Sequence, residues 1–245
     1  MTDKLHFGLM QVDLLTLPEA VKAIAELAGR DGPSLVMTPN LHRYSLLASD
    51  DDVRAAYDMA TLVLPDGWPI VSALRRRPGG AHASQVCGSD LLPLLLRTAA
   101  SRGLSVALIG GMDPHASADA ARRASPGLRV VYVDDGRYTT PPTSEQVERL
   151  VTMAEELTPD LVVLGLGAPK EEALALRVLP RLESGVVLCL GASTDFLSGH
   201  QRRAPGWVQR SRLEWAWRSF LQPSRLWHRY VKPLPAFVRA VRGKG

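Results

Sequence analysis

Small and polar residues follow six short apolar segments of the chain, and this arrangement could build a ligand-binding edge. The apolar segments, rich in Val and Leu, span residues 34–37, 61–64, 105–109, 129–133, 161–164 and 186–190. They are followed by Thr38-Pro39-Asn40, Pro65-Asp66-Gly67, Gly110-Gly111, Asp134-Asp135-Gly136, the run from Gly165 to Lys170, and Gly191-Ala192-Ser193. Small residues let a ligand approach the backbone, and helix N-termini at such positions favour phosphate groups. Any one of these turns could be merely structural, but six of them at one edge predict a binding pocket.

Asp66 is the residue in these turns that is best suited to catalysis. It directly follows an apolar segment, and Gly67 leaves room beside it. A carboxylate in that place could act as general base on a hydroxyl nucleophile. A helix cap or a turn aspartate would produce the same pattern, so Asp66 alone leaves both interpretations open.

Several other kinds of site are disfavoured by the sequence. A dinucleotide fingerprint starting at Gly165 would need a third glycine where the chain has Lys170. The phosphate loop of nucleotide hydrolases and the Gly-x-Ser-x-Gly turn of serine hydrolases are missing. The six histidines are scattered, so no metal site is predicted. Asp50-Asp51-Asp52 resembles a metal motif of sugar-nucleotide transferases, but its place before a helical segment favours capping.

Helical segments alternate with the apolar segments. They are predicted over residues 18–29, 49–59, 90–102, 114–124, 144–157 and 170–182. Strands that alternate with helices and lack a polar face predict an α/β fold, a mostly parallel Rossmann-like sheet covered by helices on both faces. Residues 1–199 are predicted to form this catalytic domain, and residues 200–245 a helical C-terminal tail.

The tail differs from the rest of the chain in charge and in aromatic content. Residues 201–245 contain eleven Lys and Arg, one acidic residue and four of the five tryptophans, whereas the first 200 residues contain 18 basic and 24 acidic residues. Such a tail suits an anionic membrane surface or RNA. The sequence has no apolar run of about 18 residues that could span a membrane. Cys87 and Cys189 are predicted to be reduced thiols of a cytoplasmic protein.

Several motifs together resemble one known family. Those of the first domain are Thr38-Pro39-Asn40, Leu64-Pro65-Asp66-Gly67, Gly88-Ser89-Asp90-Leu91 and Gly167-Ala168-Pro169-Lys170. Those of the C-terminal part are Asp195-Phe196 with Gly199, Arg203-Ala204-Pro205, Leu213-Glu214-Trp215, Arg218, Pro223 and Arg225-Leu226-Trp227. From about Phe7 to Phe237 the chain resembles the WecG/TagA/CpsF glycosyltransferases (glycosyltransferase family 26).

This resemblance implies an inverting, metal-independent transfer of a hexose or N-acetylhexosamine from a UDP-sugar to a hydroxyl, with no cofactor. The best-known members use UDP-N-acetylmannosamine or its uronic acid, and an acceptor sugar on a polyprenyl diphosphate in cell-envelope polysaccharide synthesis. On this pattern Asp66 is the catalytic base, Thr38 and Asn40 position sugar groups, and Lys170 lies in a substrate-binding motif. Gly110, Gly111 and Asp195 would bind the nucleotide, and Arg218 and Arg225 would stabilise the departing diphosphate.

Three departures from the family pattern concern substrate binding. Glu171 replaces a usual glutamine, Gln85 stands where an arginine is usual, and His228-Arg229 replaces paired arginines. Fewer cations weaken the case for an acidic donor sugar. We therefore expect a changed donor or acceptor, either a neutral hexose or an amino sugar whose ammonium group pairs with Glu171.

With the resemblance, the tail is expected to bind the inner face of the cell membrane rather than nucleic acid, which makes the protein cytoplasmic and peripheral. Two alternatives remain open: the same chemistry on a soluble secondary-metabolite acceptor, and a protein that binds sugar nucleotides or membranes without catalysis. Family members often self-associate, so a homo-oligomer is also left open.

Overall fold

The structure, a computed structural model, describes residues 3–201 and 237–238. Most of the predicted tail, including Arg218 and Arg225, lies outside the described residues, as do His228 and Arg229.

A six-stranded parallel sheet forms the centre of the α/β domain. Its strands are β3 (Ser34–Met37), β4 (Leu62–Val63), β5 (Ser105–Gly110), β6 (Arg129–Asp134), β7 (Leu161–Gly165) and β8 (Val186–Cys189). Their order across the sheet is β4-β3-β8-β7-β5-β6, and every adjacent pair is parallel. All six apolar segments are therefore strands, and the predicted fold class is confirmed.

Helices cover the sheet on both faces. The cluster on one face includes buried residues of α1 (Leu17–Leu27), α5 (Gly88–Arg102) and α6 (Pro114–Ala124). The cluster on the other includes those of α3 (Asp51–Asp58), α4 (Trp68–Arg75), α7 (Ser144–Leu157) and α8 (Lys170–Val178). Within β3, Leu35 and Met37 contribute to one cluster and Val36 to the other, because successive side chains of a strand point to opposite faces. This two-sided burial explains why the strands are apolar without alternation.

Polar side chains fix where the surface helices begin. The Asp50 carboxylate accepts a hydrogen bond from Val53 N at 3.1 Å, so the acidic triplet caps α3 as the sequence predicted. Asp113 caps α6 in the same way, accepting from Ala116 N at 2.8 Å. Because side-chain oxygens satisfy these N–H groups, the helix starts are fixed locally by the sequence.

The structure also contains short elements that the sequence patterns did not predict. They are the hairpin strands β1 (Lys4–Phe7) and β2 (Met10–Asp13), and the helices α2 (Leu41–Leu46), α4 and α9 (Ser193–Leu197). Elements this short have too few residues to establish a hydrophobic period. The predicted helix over 170–182 is also shorter, since α8 ends at Val178 and Leu179–Arg181 forms a separate 3-10 turn.

The β1–β2 hairpin packs beside β4, at one edge of the sheet. The buried Asp13 carboxylate accepts a hydrogen bond from Val63 N at 2.8 Å and lies 3.7 Å from Lys4 Nζ. The Phe7 ring lies 5.3 Å from that of Tyr44 and 6.1 Å from that of Phe237, between centroids. The hairpin thus joins β4, α2 and a residue near the C-terminus. Among the helices of residues 3–201 and 237–238, none has the length and hydropathy needed to cross a bilayer.

Candidate active site

The residues singled out from the sequence lie along the edge formed by the carboxyl ends of the parallel strands. From β5 the chain continues to β6 at one side, and from β7 it continues to β8 at the other. The connections therefore diverge between β5 and β7, where Gly110 is the register partner of Gly165. In open α/β sheets such a divergence is where ligands bind. One part of the site is thus set by topology, between the turns after β5 and β7.

Asp66 lies at the same edge, beyond the outermost strand β4. Its backbone N–H donates to Pro39 O at 2.9 Å, and Leu64 N donates to Met37 O at 2.8 Å. These bonds hold the turn after β4 against the turn after β3, which contains Thr38 and Asn40. The half-buried Asp66 is followed by Gly67, whose φ of 107° lets the chain turn sharply into α4.

Thr38 and Asn40 each make a hydrogen bond within the protein. Thr38 is only 2% exposed, and its hydroxyl donates to Cys189 O at 2.9 Å. The Asn40 side-chain oxygen caps α2 by accepting from Arg43 N at 3.2 Å, and no described residue accepts a hydrogen bond from its amide NH2 group. The structure therefore brings both residues to the turn beside Asp66, with Asn40 more accessible than Thr38.

A buried group of charges lies beneath this edge. The Arg43 guanidinium is 3% exposed; it pairs with the Glu171 carboxylate, and its Nε lies 3.4 Å from Glu172 Oε1. Arg43 Nη1 also donates to Cys189 O at 2.8 Å. Neither Glu172 oxygen accepts a hydrogen bond within the described residues. Burial opposes the charge of Arg43, but the two carboxylates raise its pKa, so the guanidinium stays protonated.

The expected contact between Glu171 and a donor sugar does not agree with this geometry. Glu171 is fully buried, and its Oε1 accepts hydrogen bonds from Leu166 N and Gly167 N, both at 2.9 Å, and from Gly191 N at 2.8 Å. Its other oxygen pairs with Arg43. Burial raises the pKa of Glu171, while Arg43 acts to lower it. The carboxylate is occupied in joining the turns after β7 and β8, and Lys170 beside it is half-buried in the first turn of α8.

Gln85 lies in a segment that pairs with the turn after β4. Val86 N donates to Pro65 O at 2.9 Å, and the exposed Gln85 donates its side-chain N–H to Cys87 Sγ at 2.7 Å. Backbone pairing therefore places Gln85 near the turn that contains Asp66, and its role in substrate binding stays a prediction.

Glycines create the close packing at the β5–β7 end of the site. Gly110 and Gly111 have φ angles of 85° and 97°. A Cβ on Gly136 would lie 2.3 Å from Gly110 Cα, and a Cβ on Gly111 would lie 2.7 Å from Thr194 Oγ1. Only glycine satisfies both the backbone conformation and the space at these positions.

The Asp195 carboxylate stabilises the backbone that follows this glycine turn. It is 6% exposed, its Oδ1 accepts from Met112 N at 2.7 Å, and its Oδ2 accepts from Gln201 Nε2 at 3.3 Å. The neighbouring Thr194 hydroxyl is buried and has no hydrogen-bond partner among the described residues. Asp195 is therefore at the predicted nucleotide end of the site, where its carboxylate fixes the loop backbone.

A family model described as the glycosyl transferase WecG/TagA/CpsF family matches residues 6–244. The chain belongs to this family. As a WecG/TagA/CpsF glycosyltransferase it binds a sugar donor and an acceptor.

Four further residues in contact with this candidate site were not singled out from the sequence: Arg43, Cys87, Met112 and Thr194. A charged residue at position 43, between Leu41 and Tyr44 on the apolar face of α2, was a readable signal for Arg43. The others gave no signal, because their positions follow from contacts between distant segments. No cluster of three or more His, Cys, Asp or Glu side chains suited to a metal ion occurs in the part of the chain that the structure describes.

Proposed function

We propose that this glycosyltransferase moves a hexose or N-acetylhexosamine from a UDP-sugar to a hydroxyl of a polyprenyl-diphosphate-linked sugar, with inversion and without a metal ion. The observation that carries the proposal is the position of Asp66, the carboxylate held by backbone pairing against Thr38 and Asn40. In the proposed reaction Asp66 takes the proton of the acceptor hydroxyl. The acceptor oxygen bonds to the anomeric carbon as the bond from that carbon to UDP breaks, and attack from the opposite side inverts the configuration.

The two ends of the site suit the two ends of the donor. Asp66 follows β4 and the glycine turn follows β5, four strand spacings away in the sheet order, which is roughly 19 Å at ~4.8 Å per spacing. A UDP-sugar can extend across this distance, with its nucleoside over the β5–β7 divergence and its sugar beside Asp66.

Between these ends lies the N-terminus of the 15-residue helix α5, which is suited to the diphosphate. Gly88, its first residue, packs so closely on the turn after β8 that an added Cβ would lie 2.5 Å from Ser193 Oγ. Backbone N–H groups and the helix dipole favour an anion at such a position. In the proposal Arg218 and Arg225 supply further positive charge for the leaving UDP.

The proposed lipid acceptor and the proposed location at the membrane are inferred from the composition of the C-terminal tail. Eleven Lys and Arg with four Trp suit an anionic membrane surface, each cation contributing about 1 kcal/mol near anionic lipid. The enzyme is thus proposed to act at the inner face of the cell membrane. The burial of Glu171 removes the argument for an amino-sugar donor, so Gln85 is the remaining departure near Asp66 that could alter donor choice.

The proposal is tested by measuring the transfer of a sugar from donor to acceptor. The protein is incubated with a panel of UDP-sugars and a short-chain lipid-diphosphate N-acetylglucosamine, with and without EDTA, and the products are identified by mass spectrometry. We expect one donor to give product, EDTA to leave the rate unchanged, and Asp66→Asn to lower kcat by at least about 10²-fold. Asp119→Asn makes the same change on the exposed surface of α6 and is expected to be fully active.

Each other outcome removes a defined part of the proposal. Equal product from Asp66→Asn would remove the base role, and loss of product in EDTA would remove metal independence. Transfer to a soluble glycoside but not to the lipid substrate would replace the acceptor class. UDP binding without transfer to any acceptor would contradict the transferase proposal for this chain.

A further inference from the structure

We infer that the groove between α4 and residues 237–238 binds the phosphate end of the acceptor lipid, with Arg76 pairing with a phosphate group and the apolar walls holding the first prenyl units. This inference deepens the proposed function by placing the lipid part of its acceptor, and it therefore rests on that function.

The groove lies along one side of α4. Its volume is about 200 Å³, and its described lining includes Trp68, Ser72, Ala73 and Arg76 on one side and Phe237 and Val238 on the other. From Trp68 to Arg76 it follows the helix for roughly 12 Å, eight residues at ~1.5 Å each. An elongated groove with mostly apolar walls suits a ligand with an apolar chain.

Both walls of the groove are anchored in the hydrophobic core. In α4, Ile70 and Leu74 are fully buried, which fixes the position of the helix. The Phe237 ring lies 6.1 Å from that of Phe7 and 6.4 Å from that of Tyr44, between centroids. Because separate core contacts hold the two walls, the groove is built into the fold.

Arg76 brings a positive charge to this groove. Of the three successive arginines at the end of α4, Arg75 Nε donates to Ala83 O at 2.8 Å and Arg77 Nη1 donates to His6 O at 3.2 Å. The exposed Arg76 side chain, by contrast, makes no hydrogen bond or ion pair with any residue that the structure describes. Guanidinium groups bind phosphate oxygens well, so an available arginine beside apolar walls suits an amphiphile with a phosphate group.

The location of the groove favours the proposed acceptor as this amphiphile. Trp68, which is 39% exposed at one end of the groove, follows Asp66 by two residues, and Gly67 with its φ of 107° turns the chain between them. The groove therefore begins beside the turn that carries the proposed base. In the acceptor, the diphosphate and the prenyl chain follow the sugar whose hydroxyl Asp66 deprotonates, so their site must be continuous with that turn. The chain's own residues 201–245 match Arg76 poorly, because they contain eleven basic residues and one acidic residue.

The binding test compares inorganic diphosphate, isopentenyl diphosphate and farnesyl diphosphate, which differ in their apolar chain. Each is titrated calorimetrically into the full-length protein with saturating UDP, so that the proposed donor site is occupied. The wild type should bind farnesyl diphosphate at least about tenfold more tightly than isopentenyl diphosphate, because more apolar surface is buried. Ser72→Trp, which fills the groove, should lose this preference, and so should Trp68→Ala, which removes part of a wall. Ser101→Trp, at an exposed position of α5, should keep it.

The phosphate contact is tested with Arg76→Gln. This variant should bind all three diphosphates several-fold more weakly than the wild type, since they share the group that the guanidinium recognises. Arg97→Gln removes another exposed arginine, on α5, and should bind them as the wild type does. Unchanged affinities in Arg76→Gln would overturn the inference.

Three other outcomes would also overturn it. One is equal affinity of the wild type for the two prenyl diphosphates. Another is an unchanged preference in Ser72→Trp or Trp68→Ala when the thermal stability of that variant equals that of the wild type. The third is a dimer that Ser72→Trp dissociates, measured by light scattering, which would assign the groove to a second copy of the chain.

The transfer assay separates this inference from the proposed function. In that assay Ser72→Trp should raise the KM for the lipid-linked acceptor several-fold and leave the donor KM unchanged. A preference for the longer prenyl chain in a protein that transfers no sugar would retain the groove as a prenyl-diphosphate site and contradict the proposed function. Sugar transfer by a wild type without that preference would retain the proposed function and overturn the groove assignment.

Discussion

The Arg43 guanidinium pairs with the Glu171 carboxylate in the interior of the protein, joining two helices across 128 positions of sequence. Arg43 lies in α2, the helix that follows the turn after β3. Glu171 lies in the first turn of α8 and accepts backbone hydrogen bonds from the turns after β7 and β8. The pair therefore connects three of the turns that form the binding edge. Loss of this ion pair should therefore disturb all three turns rather than one contact.

Replacing Arg43 by Met should be strongly destabilising. The substitution removes the only described cation within hydrogen-bonding distance of the Glu171 carboxylate and leaves two carboxylates buried, which typically costs about 3–5 kcal/mol. Urea unfolding measures the loss. Arg122→Met removes an exposed ion pair with Asp119 and should change the free energy of unfolding by less than about 1 kcal/mol. Equal losses in the two variants would show that the buried pair is not important for stability.

Glu171→Gln should leave donor preference unchanged while lowering stability. The amide keeps one oxygen for the N–H groups of Leu166, Gly167 and Gly191, but it places an NH2 group where Arg43 needs an acceptor. We expect a loss of about 1.5–3 kcal/mol, the range for a hydrogen bond to a charged group. The ratio of kcat/KM between two UDP-sugars tests donor preference. A changed ratio would restore the idea that residue 171 contacts the sugar.

Two substitutions of Asn40 can separate its cap from its proposed ligand contact. Asn40→Ala removes the oxygen that accepts from Arg43 N and should cost about 1 kcal/mol. Asn40→Asp keeps that oxygen and removes the NH2 group, so it should retain stability but lower kcat/KM if the amide contacts the sugar. Thermal unfolding and donor kinetics are measured on both variants. Full activity in Asn40→Asp would leave Asn40 only its helix-capping role.

Gly111→Ala should weaken UDP binding more than backbone strain alone explains. A left-handed conformation costs a non-glycine residue about 1–2 kcal/mol. At Gly111 the new Cβ would also lie 2.7 Å from Thr194 Oγ1 and 3.1 Å from Asp195 Oδ1, so the turn must move. Gly127, with a φ of 85° and nothing within 4 Å of an added Cβ, is the matched control. Calorimetric titration with UDP should show reduced affinity for Gly111→Ala and wild-type affinity for Gly127→Ala.

Asp134→Asn should make stability less dependent on acid pH. Burial acts to raise the pKa of Asp134, but hydrogen bonds from Gly136 N, Tyr138 and Tyr132 and the charge of Arg149 outweigh it, so the pKa is lowered. The carboxylate therefore stabilises the fold above its ordinary pKa, and this contribution is lost as the pH falls below about 4. Asp134→Asn should cost about 1–3 kcal/mol at pH 7, with a difference from the wild type that shrinks toward pH 3. A difference independent of pH would contradict this assignment.

The sheet and most of its helices could be predicted because their signals are local. A buried parallel strand such as Ser34–Met37 appears as a short apolar run, and Asp50 or Asp113 marks a helix start within a few residues. The positions of the strand-end residues at one edge then follow from parallel pairing. Short helices such as α2 were missed because six residues do not establish a period.

The site was predicted less completely because its contacts join distant segments. Asp66, Thr38 and Asn40 were predicted together from their positions after strands. Nothing local could show that Glu171 would be buried, with hydrogen bonds from three backbone N–H groups and an ion pair with Arg43. Such contacts depend on packing between segments that are far apart in sequence, so a substitution that looks like a change in substrate binding can be a change in the interior.

The bond between Asp13 and Val63 N has a consequence for the way the folded protein avoids self-association. β4 is a sheet edge only two residues long, and an open strand edge offers backbone groups with which another chain can pair. The buried Asp13 carboxylate occupies the Val63 N–H, and the hairpin that carries it brings a negative charge to the edge that an incoming strand would have to displace. The N-terminal hairpin therefore protects β4, the edge strand that leads to Asp66, from β-pairing with another molecule.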